Sequence, residues 1–300
     1  MKNLRNLKGI VPALATVMNR DGSIDEEGIR SVVRFNIEKG VHAFAVTIIA
    51  GEFYKLSDEE RKRVYRVVID ETNGKIPVLA GTSHSGTEVT IELSKYAKDA
   101  GADGLVIMPP YFGKLEASLY VYEHFSRIAS AVDLPIMIQD AEDYSGVGFS
   151  TPLCARLSRE FSNIFMSKVE GARALEKLVE LKELTGNKMV LLGGQGAKVF
   201  LDELRLGAQG NIPSSSMPEL LIEVFERHQK GDVAGAARVF GKYRKWIDYL
   251  SLYPLHEMNL EKETLRLRGV IKSSQVRGPR QETTKEQTQN LKRILDELGL

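Results

Sequence analysis

Short apolar runs alternate with amphipathic helical stretches over the first two thirds of the chain, and nothing else in the sequence restricts the fold as strongly. Eight runs of strand type can be marked, over residues 10–16, 43–47, 77–81, 104–108, 135–139, 164–169, 189–193 and a short one near 210–212. Most are apolar on both faces, as buried parallel strands are when crossover helices cover them. Helix signals fall between them. Ser57-Asp58-Glu59-Glu60 reads as a capping box opening a helix through Asp70, the stretch 87–100 closes at Gly101, and similar closures stand at Gly40 and Gly207. Eight strand and helix units in about 210 residues, with no gap for a second sheet, predict a closed (β/α)8 TIM barrel over residues 1–217. From Pro218 the strand signal stops. Helices are expected over 219–230, 233–251, 261–272 and 285–298, forming a C-terminal helical region, 218–300, packed on the barrel.

Within this pattern Lys168 is out of place, because it sits inside the apolar run Ile164-Phe165-Met166-Ser167-Lys168-Val169. Burial disfavours an ammonium ion and is one way a protein keeps an amine neutral enough to attack a ketone. A lysine snorkelling from the end of an edge strand is the alternative. In a barrel the reacting groups gather at the C-terminal ends of strands, so Lys168 acquires neighbours. They are Gly51 and Glu52, the segment from Pro109 to Phe112, Gln139 and Asp140, the segment from Gly193 to Gly196, and the segment from Ile212 to Ser216. Backbone amides from glycine-rich loops beside a lysine suit a 2-oxo acid, offering donors for its carboxylate and an amine for its ketone.

Composition removes other classes. The 41 basic and 40 acidic residues leave a formal net charge of +1, so no overall field attracts nucleic acid or an anionic membrane. The stretches Arg266–Arg268 and Arg277–Arg280 are short and interrupted, as expected of solvated faces or internal ion pairs. One cysteine, Cys154, excludes an intrachain disulfide and a thiolate zinc cluster and fits a reducing, cytoplasmic setting. No apolar run approaches the roughly 18 residues of a membrane span. His42, His84, His124, His228 and His256 form no ligand-spaced pair, so no metal is expected. Gly193-Gly194-Gln195-Gly196 lacks the full dinucleotide fingerprint, and no cofactor is expected there.

The chain resembles the dihydrodipicolinate synthase and N-acetylneuraminate lyase family of lysine-dependent barrel enzymes nearly end to end. The resemblance is carried by Gly51-Glu52 followed by Leu56-Ser57-Asp58-Glu59-Glu60-Arg61, by Ala80-Gly81-Thr82, by Ala100-Gly101-Ala102-Asp103-Gly104, by Pro110-Tyr111-Phe112, by Leu134-Pro135-Ile136 and by Lys168. It implies that Lys168 is the Schiff-base lysine, that amides near Ile49 and Ala50 hold the substrate carboxylate beside Gly51, that Gly194 and Ile212 line the pocket, and that the protein is a homotetramer built from dimers.

The departures matter as much. Where the family reads Gly-Thr-Thr-Gly-Glu this chain has Ile48-Ile49-Ala50-Gly51-Glu52, so the threonine hydroxyls of a proton relay are missing. In place of Tyr-Asn-x-Pro stands Gln139-Asp140-Ala141-Glu142, and the family's following arginine falls on Tyr144. Gln139 has no titratable proton and can position a group but not act as acid or base. These changes argue against condensation of pyruvate with aspartate semialdehyde. They resemble the branch that dehydrates 2-oxo-3-deoxy sugar acids, of the 2-keto-3-deoxy-L-arabonate dehydratase type. The expected reaction is imine formation at Lys168 followed by loss of water, with Gln139 and Tyr144 as further catalytic residues and Asp140 at the substrate. Tyr144, Asp140, His84 or a water held by Gln139 are all candidates for the base. Glu52 reads as a structural acceptor for loop amides. Pyruvate-releasing or pyruvate-condensing aldolase chemistry, and a 2-oxo acid binding protein without turnover, remain as alternatives.

Overall fold

The computed structural model describes residues 2–111, 117–254 and 257–300; Phe112 and His256 lie outside the described residues. The strands are β1 (Gly9–Ile10), β2 (Phe44–Val46), β3 (Val78–Gly81), β4 (Gly104–Ile107), β5 (Ile136–Asp140), β6 (Ile164–Val169), β7 (Val190–Gly193) and β8 (Gly210–Asn211). The helices are α1 (Glu26–Lys39), α2 (Asp58–Thr72), α3 (Thr87–Asp99), α4 (Ala117–Ala131), α5 (Glu142–Ser145), α6 (Thr151–Glu160), α7 (Ala174–Thr185), α8 (Phe200–Arg205), α9 (Pro218–Gln229), α10 (Val233–Ser251), α11 (Glu257–Leu267) and α12 (Lys285–Leu298). All eight strands are parallel, in the order β1-β8-β7-β6-β5-β4-β3-β2. Ala13 closes the ring by bridging in parallel to both Ala45 and Ser214. The fold is a (β/α)8 barrel with C-terminal helices, as the alternation of apolar runs predicts.

Two apolar cores follow from the alternation of side chains along each strand. Val11, Ala13, Ala45, Leu79, Val106, Met137, Met166, Leu192 and Ile212 fill the barrel interior, with Leu4 and Leu7 of the same cluster. Ile10, Phe44, Val46, Val78, Leu105, Ile138, Val169 and Leu191 belong to a second cluster together with helix residues such as Val32, Val68 and Phe125. A bulge fixes which face Lys168 takes. Between β5 and β6 the register shifts at Ile136/Met137, so Ile164 belongs to the outer core while Met166 belongs to the inner one. Alternation then carries Lys168 inward, directly beside Gln139 of β5.

Local chemistry explains the boundaries. Ser57 and Glu60 make the reciprocal capping box of α2, and Gly40 ends α1 at φ 87°. Of the run 10–16 only Ile10 lies in a strand before the two bridges at Ala13, because Pro12 has no N–H to donate to a ladder. The helix expected over 261–272 instead runs Glu257–Leu267. Gly269 stops it at φ 71°, with the Val270 amide donating to the Leu265 carbonyl at 2.9 Å. The arginines of the two basic stretches form ion pairs: Arg266 with Glu263, Arg268 with Glu219, Arg277 with Glu60 and Arg280 with Glu282. No helix among the described residues is long and apolar enough to cross a membrane.

Candidate active site

A cavity of about 410 Å³ opens at the C-terminal end of the barrel, where β6 presents Lys168. Lys168 is only 5% exposed, and its Nζ lies 2.9 Å from Glu170 Oε1. Glu170 is two residues further along the chain, hence on the same side, and is itself 4% exposed. Its carboxylate is fully engaged. Oε1 also accepts the Gln195 amide at 2.9 Å, and Oε2 accepts Gln139 Nε2 at 3.0 Å. One buried carboxylate therefore ties together the ends of β5 and β6 and the loop after β7, with the amine as the third of its three partners.

The glycine-rich loop after β7 exists to make room for this arrangement. A Cβ on Gly194 would lie 2.4 Å from Glu170 Oε1, and one on Gly193 would lie 2.1 Å from the Glu203 carboxyl carbon. Gln195 and Gly196, at φ 50° and 63°, turn the chain so that the Gln195 amide points at Glu170. Glu203, from α8, is buried behind the loop and accepts Asn211 Nδ2 at 2.7 Å. Burial is the main cause that pushes its pKa up to about 8, with the nearby Glu170 carboxylate adding to it and Asn211 opposing it.

The sequence-derived candidates separate by where their side chains go. Lys168, Tyr144, Ile49, Ala50 and Ile212 line the cavity. Ile49 and Ala50 open a single helical turn, Ile49–Gly51, whose first amides have no carbonyl within the turn to bond. Gly51 is buried beneath it, accepting the Thr16 hydroxyl at 2.7 Å; a Cβ there would approach the Leu14 carbonyl to 3.0 Å. Gln139 stands behind Glu170 and orients it through its amide, with Oε1 unpaired. Asp140 faces away. Adjacent residues of a strand point to opposite sides, so with Gln139 inside, Asp140 meets Lys177 of α7 at 2.7 Å, outside the cavity. Burial raises its pKa, and Lys177 opposes the rise. His84 caps its own loop, accepting the Gly86 amide at 2.9 Å. Glu52 accepts from lysines, not from loop amides: Lys55 at 2.9 Å and the buried Lys262 of α11.

Three residues that sequence reasoning did not assign also belong to the site. Glu170 was legible in principle, since an i, i+2 spacing from Lys168 places both on one face. Glu257 and Glu261 of α11 line the cavity as well, and no local sequence signal brings a C-terminal helix there. Tyr144, on α5, is half-exposed; burial of the rest of its ring, then the Glu257, Glu170 and Glu261 carboxylates, raises its pKa. It stays a phenol that can donate a hydrogen bond.

Comparison with known proteins identifies the family and the fold. The chain matches the Dihydrodipicolinate synthetase family over residues 6–298. It is 33% identical over 304 residues to the 4-hydroxy-tetrahydrodipicolinate synthase of Methanopyrus kandleri, covering 98% of this chain and 97% of that protein. It is 31% identical to the putative 2-dehydro-3-deoxy-D-gluconate aldolase YagE of Escherichia coli, covering 97% of each. The crystal structure of YagE in complex with pyruvate superposes with a TM-score of 0.91 at 28% identity, over 98% of this chain and 99% of that one.

Proposed function

Because the chain belongs to the dihydrodipicolinate synthetase family, we propose that it is a lyase in which Lys168 forms an imine with a 2-oxo acid, and that it removes water from a 2-oxo-3-deoxy sugar acid. The observation that carries this reading is the Glu170 carboxylate, 2.9 Å from Lys168 Nζ inside the cavity. Glu170 takes a proton from the ammonium group, and the neutral amine attacks C2. Glu170 returns that proton to the carbinolamine hydroxyl, which departs as water and leaves an iminium ion that acidifies the C3 protons. A base hydrogen-bonded to the imine nitrogen stands two bonds from C3, and Glu170 removes a C3 proton from there. The enamine then expels the C4 hydroxyl, protonated by the acid form of Glu170, and hydrolysis of the conjugated imine returns Lys168. The net change is the loss of one water.

The remaining groups support these steps. The substrate carboxylate is placed against the amides of Ile49 and Ala50, with Ile212 as an apolar wall. Gln139 holds Glu170 in line. Thr16 donates to Gly51 O at 2.7 Å and Thr47 to Gly81 O at 3.0 Å, so the hydroxyl protons of both are engaged by backbone carbonyls. A carboxylate therefore takes the proton-transfer role that hydroxyls would otherwise fill.

Similarity to YagE favours a second reading, aldol cleavage, since its name specifies an aldolase and its structure holds pyruvate. That reaction uses the same imine but begins by removing the proton of the C4 hydroxyl, the group that dehydration instead protonates. The products decide. Incubation with a 2-oxo-3-deoxy pentonate or hexonate gives, for dehydration, a product lighter by one water and no pyruvate. Stoichiometric pyruvate would show cleavage and overturn the preference for dehydration.

A further inference from the structure

The wall of the cavity away from the barrel is supplied by α11, and it is acidic. Glu257 and Glu261 are four residues apart on one helical face and both line the cavity, with Asp143 of α5 beside them. The position of α11 is fixed by other contacts: Lys262 pairs with the buried Glu52, and Thr264 accepts Trp246 Nε1 at 3.0 Å. Glu257 has Lys198 at 3.6 Å. Glu261 is different. It is 5% exposed, yet among the described residues it has neither a hydrogen-bond partner nor an ion pair within 4.0 Å. Burial, then Glu257 and Glu52, raise its pKa well above the usual carboxyl value, against the pull of Lys198 and Lys262. With no protein partner, the Glu261 carboxyl directs its hydrogen-bonding capacity into the cavity that it lines.

Two cations line the cavity among the described residues, and both are engaged: Lys168 with Glu170, and Lys198 with Glu257. No arginine among the described residues lines it. Among the described residues, a second carboxylate at the far end of a substrate would meet Asp143, Glu257 and Glu261, and no cation that lacks an acidic partner. Hydroxyl groups would meet acceptors, and neighbouring hydroxyls can donate to the two carboxyls together. We propose that Glu257 and Glu261 bind the distal hydroxyls of the substrate and select a 2-oxo acid with an uncharged polyhydroxy tail over one ending in a second carboxylate. This rests on the assignment of Lys168 as the imine-forming amine, which places the ketone at one end of the cavity and the tail at the other.

The test measures protection of Lys168 from pyruvate and borohydride by two competitors, 2-oxo-3-deoxygluconate and the same chain ending in a carboxylate. Wild type should be protected by the polyhydroxy acid at a concentration at least tenfold lower. Glu261→Gln and Glu257→Gln should narrow that gap severalfold each, with each variant's protection by the two acids compared against its own trapping by pyruvate alone. Two variants on one wall guard against a folding defect in either. Equal protection by both acids in wild type, or an unchanged gap in both variants, would overturn the proposal. If pyruvate is not trapped at all, the imine assignment is what has failed. Calorimetric titration with the same two acids then reads the preference without any imine, a tenfold gap supporting the acidic wall and equal affinities refuting it.

Discussion

Lys168 and Glu170 form an ion pair, 2.9 Å from Nζ to Oε1, with both side chains almost sealed from solvent. A buried pair of this kind is costly to break from one side, because the remaining charge is left without a partner. It is also the route by which the amine can lose its proton. Glu170→Gln keeps an oxygen for the Gln195 amide and removes the base. Turnover should fall by roughly 10²–10⁴-fold, the usual worth of a positioned general base, while the variant stays folded. Glu170→Ala should in addition lose about 3–5 kcal/mol of stability, measured by urea unfolding. Turnover within threefold of wild type in Glu170→Gln would remove Glu170 from the reaction.

The two loop glycines should separate structure from activity. Gly194→Ala pushes a methyl group into Glu170 Oε1, and its backbone, outside the left-handed region, accepts alanine. The expected result is a loss of turnover of tenfold or more together with a loss of about 1–3 kcal/mol of stability, because the methyl meets a buried carboxylate. Gly193→Ala meets the buried Glu203 carboxyl, held by Asn211, and should cost about 1–3 kcal/mol through overpacking. Steady-state kinetics beside thermal melts of the two variants check the contrast.

Glu203 makes stability depend on pH. Its folded pKa, about 8, lies above the ordinary carboxyl value of 4.5. Between these values the unfolded chain binds fewer protons than the folded one, so stability from this group is fully present below about 4.5 and is lost as pH rises toward 8. The slope is at most about 1.4 kcal/mol per pH unit. Glu203→Gln keeps an acceptor for Asn211 and removes the titration. Urea unfolding between pH 5 and 8 should show this decline in wild type and its reduction in the variant.

Asp140 should affect stability and not catalysis. Its partner is Lys177 on the helix side of β5, and Asp140→Ala should cost about 3 kcal/mol while leaving turnover of the remaining folded protein within threefold. A large loss of turnover without a loss of stability would return Asp140 to the substrate.

The eight strands were legible because each is a short apolar run bounded by turn residues, and most bounds differ from the structure by one or two positions. The exceptions have local causes: Pro12 interrupts the first run, and Gly269 ends α11 earlier than its periodicity suggests. In the site, Lys168 was visible as a charge inside an apolar strand. Gln139 and Asp140 were read together, although strand alternation allows only one of two neighbours to face inward. The role of Gly193 and Gly194 depends on carboxylates from β6 and α8 that approach only in three dimensions. Glu257 and Glu261 depend on the way the C-terminal helices fold back over the barrel, which no local pattern encodes.

The imine at Lys168 underlies every step above, and intact mass after incubation with pyruvate and borohydride reads it. Wild type should gain one reduced pyruvate adduct and Lys168→Ala none. An unmodified wild type, or an adduct that survives in Lys168→Ala, would contradict it.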